Sequence, residues 1–287
     1  MHENSRYGYS MHGHAAATFR AALLTALCLL LAAWALAMAP AASAAPSPGD
    51  GAEQALGNDI SWPQCGKAFP KAPAFGIVGV NNGLANATNP CLAEQLRWAE
   101  AISVNPTDQP SVALYVNTAN PGLAGSWWPA SNDYPAGQTV ANPYGTCETK
   151  DVGAACAYMY GYAKAHDNAQ IRGIERPGDY LWWLDVETDN SWSTDRNSNR
   201  AVLEGMTTFY QSIGADVGIY SSGYQWGLIV GIVDESSNLY GLPSWLAGAR
   251  TAAGAEANCS DAPLTAGGDV ALTQFVSQGF DYDYSCE

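Results

Sequence analysis

DYLWWLDVETDNSW (179–192) runs from Tyr180 to Leu184 without a polar side chain and then meets two acids one residue apart, Asp185 and Glu187. Five apolar residues in a row are too few for a core helix. With no alternation between apolar and polar positions, they describe a strand buried on both faces. Such strands belong to parallel sheets covered by helices. Side chains two apart on a strand share a face, so Asp185 and Glu187 project together while Val186 faces the other way. At the C-terminal end of a parallel barrel strand, that shared face opens into the mouth where such folds place their active sites.

Outward from this strand, the chain repeats the same kind of unit. NDISW (58–62), FGIVGVNNG (75–83) and SVALYVNT (111–118) precede it as strand-like runs. PCLAEQLRWAEAI (90–102) carries Leu92, Leu96, Ala99 and Ile102 at helical spacing, with Pro90 at its start. Residues 121–156 have little periodicity and many Gly, Pro, Asn and Trp residues, which predicts a long surface excursion. A helix over 154–169 follows it. Beyond the central strand come a helix within 196–214 closed by Gly214, a strand over 216–222 and a short helix over 224–230. After that no helix is expected: PSWLAGA (243–249), DVALTQFVS (269–277) and FDYDYS (280–285) read as three further strands. Five βα units followed by three strands total eight, the number that closes a TIM-like α/β barrel. No internal repeat is evident.

Residues 1–44 stand apart from this pattern. Arg6 and Arg20 supply a basic region before an apolar run, AALLTALCLLLAAWALAMA (21–39), and small residues follow, so an export signal cleaved after Ala44 is expected. An uncleaved anchor is the competing reading, since the run approaches a bilayer span of roughly 20 residues. Residues 45–56, rich in Pro and Gly, read as a flexible leader, and 57–287 as the barrel domain. Without 1–44 the chain loses Arg6, Arg20 and Glu3, so a net charge of −15 over the whole sequence becomes −16. A surface of that sign repels phosphate backbones and excludes nucleic acid as the expected partner. With the signal gone, no membrane contact is expected, and the chain should act as a secreted or cell-wall-associated monomer.

Loss of Cys28 with the signal leaves six cysteines, an even number in an exported chain. Pairing of neighbours, Cys65 with Cys91, Cys147 with Cys156 and Cys259 with Cys286, is preferred because each closes a modest loop. No CxxC pair occurs, which disfavours zinc. The barrel domain contains a single histidine, His166, in a polar helix-end context that predicts a solvated surface residue. Thiol, metal and Ser-His-Asp chemistry therefore find few residues to work with, and carboxylates remain. No nucleotide or cofactor fingerprint is present, so no cofactor is expected.

Asp185 and Glu187 flanked by Trp182, Trp183 and Trp192 form a pair whose burial and mutual repulsion raise carboxyl pKa values. One protonated acid beside one ionised acid is the requirement for cleaving a glycosidic bond. Binding a cation and capping the next helix are the other uses of such a pair. Asp59 on the first strand and Asp281 and Asp283 on the last fall at strand ends too, and in a closed barrel those strands are neighbours. Trp62, Trp127, Trp128, Trp192 and Trp226 are candidates for stacking on sugar, as is Tyr224; core or loop packing is the competing reading for each, and Trp192 alone is taken as a ligand contact.

GNDISWPQC, WWLDVE, GIYSS, SWLAGA, LTQFV and GFDYDYS occur in the order found in family 25 glycoside hydrolases, the lysozyme-like N-acetylmuramidases. The chain resembles that superfamily from about Asn58 onward, and most of all its actinobacterial glycoside-hydrolase-like members. The resemblance implies a barrel of five βα units and three final strands. It implies Glu187 as general acid and Asp185 as the carboxylate that orients the substrate's N-acetyl group. It also implies Asp59, Asp281, Tyr220 and Gln274 as substrate-binding residues, with Asp283 where the family has Asn. Two departures stand out, VNNG where the family's second strand carries lysine and LYVNTANPG where its third ends in a Tyr-His pair. Two functions follow: a secreted lysozyme-like hydrolase of peptidoglycan or another amino-sugar polymer, or a barrel that has lost turnover and binds carbohydrate at the cell envelope.

Overall fold

The computed structural model describes residues 55–286; the expected export signal and nearly all of the expected leader lie outside the described residues. Eight strands close into one barrel in sequence order: β1 (Leu56–Ile60), β2 (Gly76–Gly79), β3 (Val112–Asn117), β4 (Leu181–Asp185), β5 (Asp216–Ser221), β6 (Ser244–Ala249), β7 (Val270–Ser277) and β8 (Phe280–Ser285). Neighbours from β1 to β7 are parallel. β8 runs antiparallel to both β7 and β1. The reason is local: only Gln278 and Gly279 separate β7 from β8, and both have positive φ, the signature of a two-residue hairpin turn. Two residues cannot make the crossover that a parallel partner requires.

Five helices cover the barrel: α1 (Leu92–Glu100), α2 (Ala154–Gln170), α3 (Arg196–Ser212), α4 (Gly223–Ile229) and α5 (Ala252–Asn258). They follow β2 to β6, so the barrel has the expected five βα units and eight strands, with one shift in where the helices fall. β1 is followed only by a 3-10 turn over Trp62–Gln64, and α5 occupies a stretch where no helix was expected. Thr251 caps α5 by accepting a hydrogen bond from the Gly254 N–H at 3.1 Å, and only Ala255 of that helix is buried. Seven residues with one buried position leave no apolar stripe to read. Among the described residues no helix is long and apolar enough to cross a membrane.

The two tryptophans of β4 serve two different cores. Trp182 points outward, stacks on Tyr210 of α3 at 4.4 Å and donates its indole N–H to the Pro177 carbonyl at 2.9 Å. Trp183 points inward and meets Trp245 of β6 edge-on, with Phe75, Ile77 and Ala113 around them. Gly218, paired with Trp183 across the β4–β5 ladder, makes room for that ring; a Cβ there would sit 2.3 Å from it.

Three disulfides join Cys65 to Cys91, Cys147 to Cys156 and Cys259 to Cys286, the neighbour pairing preferred above. The second ties the 121–153 excursion to the start of α2. That excursion folds back over α2, and it corrects the reading of His166. The imidazole is half-buried, edge-on to Tyr134 of the excursion and Phe209 of α3, rather than solvated.

Gly218→Ala should lower unfolding free energy by about 1–3 kcal/mol through overpacking against Trp183. Gly227→Ala in α4, where a Cβ would meet nothing within 4 Å, should instead be neutral or stabilising by up to about 1 kcal/mol. Urea denaturation of the two variants beside wild type checks both, and equal effects would remove the packing argument.

Candidate active site

The strand ends converge on one cavity of about 200 Å³. Asp59 enters from β1, Tyr115 from β3, Asp185 from β4, Tyr220 from β5, Trp245 from β6, Gln274 from β7 and Asp281 from β8, with Glu187 just beyond β4. Because β8 runs antiparallel, its beginning lies at the mouth, which sets Asp281 directly opposite Asp59 in the ladder. Asp283, two residues deeper, lies beneath the cavity at 0 % exposure. Six of the seven residues expected from sequence thus line the cavity: Glu187, Asp185, Asp59, Asp281, Tyr220 and Gln274.

Trp192 is the exception, and the structure corrects its assignment as a ligand contact. It does not line the cavity. Its ring packs against the core under the helices, and its indole N–H donates to the Glu187 carbonyl at 2.8 Å. That bond is one of several holding the backbone around the acids. Thr118 donates from both its N–H (3.1 Å) and its hydroxyl (2.6 Å) to the Asp185 carbonyl. Val186 N–H donates to the Tyr220 carbonyl at 2.9 Å, and the Ser221 hydroxyl donates to the Val186 carbonyl at 2.7 Å. The regular strand ends at Asp185, yet these contacts keep Glu187 aimed into the same cavity. Of the other aromatic candidates, Trp226 is buried and Trp128 stacks on Tyr160, whereas Trp62, Trp127 and Tyr224 are exposed.

A chain of neutral donors crosses the cavity. The Tyr220 hydroxyl donates to Gln274 Oε1 at 2.8 Å, and Gln274 Nε2 donates to Asp59 Oδ2 at 2.8 Å. Asp185 Oδ1 is buried with no hydrogen-bond partner among the described residues. Tyr115 was not singled out from sequence, although its parity in VALYVN shows that it faces the interior. It fits beside Gly79, where a Cβ would come within 2.5 Å of the phenol ring. Ser61 and Gln64 also line the cavity from the turn after β1; both fall within GNDISWPQC but were not singled out from sequence.

Burial dominates the electrostatics. It pushes the Asp59 and Asp185 carboxyls well above their ordinary range, helped at Asp59 by Asp281 and at Asp185 by Glu187 and Asp59. Gln274 partly opposes the shift at Asp59. Glu187 is raised by burial and by Asp189, against a hydrogen bond from Gln225. Asp281 is raised by burial. Asp283 is raised well above its usual value, first by burial and then by Asp59 and Asp281. Burial likewise keeps the Tyr115 and Tyr220 phenols protonated. The cavity therefore retains protons at a pH where exposed carboxyls have lost them, and its acids titrate as a coupled set. Among the described residues no group of three or more His, Cys, Asp or Glu side chains is disposed to hold a metal ion.

Residues 178–260 match the family model described as Lysozyme-like protein 1. The chain is 40 % identical over 65 residues to the probable GH family 25 lysozyme 4 of Dictyostelium discoideum, covering 23 % of this chain and 29 % of that one. It is 48 % identical over 50 residues to lysozyme-like protein 5 of Caenorhabditis elegans, covering 17 % and 23 % respectively. The aligned part thus spans less than a third of either relative. Solved structures similar to it include a muramidase from Trichobolus zukalii (17 % identity, TM-score 0.49, 80 % of this chain and 93 % of that one). Another is a family GH25 lysozyme from Aspergillus fumigatus (14 % identity, TM-score 0.48, 80 % and 93 %). The segment matched by the family model contains Asp185, Glu187 and Tyr220, and leaves Asp59, Gln274 and Asp281 outside it.

Two titrations test the electrostatics. Asp189→Asn removes a charge that raises Glu187, so the Glu187 pKa should fall, whereas Gln225→Leu removes an opposing hydrogen bond and should raise it. Carboxyl-carbon NMR titration reads both, and shifts of the same sign would contradict the assignment. For Asp283 the folded-state pKa lies above the unfolded one, so its contribution to stability is greatest below the unfolded pKa and falls as pH rises. Asp283→Asn, of the same shape and uncharged, should flatten that fall and raise the melting temperature at pH 7; thermal scans from pH 4 to about pH 8 would show it.

Proposed function

We propose that the cavity hydrolyses β-linked amino-sugar glycans of the peptidoglycan class. The observation that carries this is the convergence of Asp185 and Glu187 with Asp59 and Asp281 in one buried cavity, inside a barrel whose central segment matches a lysozyme-like family model. Glu187 is the general acid: partly buried and with a raised pKa, it keeps a proton to deliver to the glycosidic oxygen as the bond to the anomeric carbon breaks. Asp185, with an unengaged buried oxygen, orients the amide of the substrate's N-acetyl group so that its carbonyl oxygen attacks the anomeric carbon. Water then opens the resulting ring, and its proton returns to Glu187. Asp59, Asp281, Tyr220 and Gln274 hold the sugar ring by hydrogen bonds, and Tyr115 joins them.

Three disulfides suit an oxidising compartment outside the cytosol, where such a polymer is met. The acidic surface acts against approach to an anionic wall, an effect confined to a Debye length of roughly 8 Å at physiological salt. Monomeric action and an export signal over 1–44 complete the proposal.

Reducing-end release from purified peptidoglycan and from N-acetylglucosamine oligomers tests it. Glu187→Gln keeps the side chain's shape and removes its transferable proton, so release should drop by at least about a hundredfold with folding unchanged. Release by neither protein, on substrates that a control lysozyme degrades, would leave the carbohydrate-binding reading in its place.

A further inference from the structure

The excursion builds something beyond the cavity. Its first part, with the loop after β2, the face of α2 and the turn after β4, encloses a second groove of about 350 Å³ at the same end of the barrel. Asn86, Ser126, Trp127, Tyr160, Lys164 and Asn190 carry its chemistry. Trp127 is 39 % exposed, and its ring is backed by Tyr160. Asn86 Nδ2 donates to the Ser126 hydroxyl at 2.9 Å, joining the loops after β2 and β3 across the rim. The turn after β4 is common to both sites. It sends Glu187 into the cavity and Asp189 and Asn190 into the groove, with Asn190 N–H donating to the Glu187 carbonyl at 3.3 Å.

The charge in the groove is already matched inside the protein. Lys164 is only 8 % exposed; its Nζ lies 3.0 Å from Asp167 Oδ2 and 5.1 Å from the centre of the Trp127 ring. No other Lys or Arg lines the groove, and Asp189 adds a negative charge. An anionic ligand would meet a cation that already has its partner, together with an acid that repels it. An uncharged ligand with hydroxyl and amide groups would find amide and hydroxyl partners on the walls and an indole to rest on.

We propose that this groove is an additional glycan subsite, taking an uncharged saccharide unit of the same chain whose bond lies at Glu187. The inference rests on the hydrolase reading and extends it, since the groove belongs to the excursion and to LYVNTANPG, where this sequence departs from the family pattern. It makes the protein prefer longer chains and a neutral sugar at this position.

The test is binding of the N-acetylglucosamine dimer and hexamer by calorimetry, in a Glu187→Gln background that prevents turnover. The hexamer should bind more tightly than the dimer, and Trp127→Ala should reduce that ratio about three- to tenfold. Asn86→Ala, on the exposed opposite wall, should reduce it less, and Trp127→Phe should retain most of it. A carboxymethylated hexamer should lose the length advantage. If the hexamer binds and wild type cleaves it, but neither Trp127→Ala nor Asn86→Ala alters the ratio, the subsite is overturned and the hydrolase stands. An equal advantage for the carboxymethylated chain overturns the preference for a neutral unit. If the hexamer is neither bound nor cleaved, the subsite is overturned, and the hydrolase reading falls with it only where purified peptidoglycan is not cleaved either.

Discussion

A strand buried on both faces must send alternate side chains to two different interiors, and most of what matters in this protein follows from how β4 meets that requirement. Trp182 goes to the layer between barrel and helices, where Tyr210 stacks on it; Trp183 goes to the barrel interior, where Gly218 leaves space for it. Side chains two apart share a face, so the parity that places Trp183 inside also places Asp185 inside one layer higher and Glu187 at the mouth. The acids are therefore fixed by the same packing that seats the tryptophan. Slipping the strand by one residue would drive Trp183 out of the barrel and both carboxylates under the helices.

Closure of the barrel supplies the other half of the cavity. A two-residue turn forces β8 to return antiparallel, and its first residues then lie at the mouth beside the end of β1. Only in that direction do Asp281 and Asp59 face each other across the ladder. Gln274 on β7 completes the arrangement by tying Asp59 to Tyr220 on β5, so one hydrogen-bonded chain links three strands that are far apart in sequence. Positions held this way lose little freedom when a ligand arrives, because the ordering was accomplished on folding.

What could be read from sequence divides along the same physical line. The central strands were legible because burial on both faces leaves continuous apolar runs, and Asp185 and Glu187 because they end such a run. Asp59 and Asp281 lie in strands without one and were marked by their place at strand ends and by the family resemblance. Tyr115 obeyed the same parity but resembled an ordinary strand aromatic. Trp192, His166 and α5 were misread for other reasons. Trp192 lies just after the acids yet turns back to hold a carbonyl, His166 lies under an excursion that begins some forty residues earlier, and α5 buries one alanine. His166 depends on contacts between distant segments, which local periodicity does not record, whereas Trp192 and α5 are settled by short-range hydrogen bonds that leave no apolar stripe. The groove at Trp127 is of the same kind as His166, since no pattern in GLAGSWWPASND shows that α2 lies behind it.

Asp283 marks where stability and chemistry pull against each other. A carboxyl whose burial only the Trp245 indole offsets is an expensive occupant of a barrel interior, and it is tolerable only while it stays neutral. Its proton is kept there by burial, and next by Asp59 and Asp281 above it. Coupling runs in both directions, so a neutral Asp283 lessens the repulsion felt by the acids at the floor of the cavity, and an ionised one would raise them further. An asparagine there would remove the coupling together with the cost of ionisation, though not the cost of burying a polar group. The buried carboxyl thus ties the protonation of the cavity to the integrity of the barrel: conditions alkaline enough to ionise the floor act on the packing beneath it as well as on the acids that face a ligand.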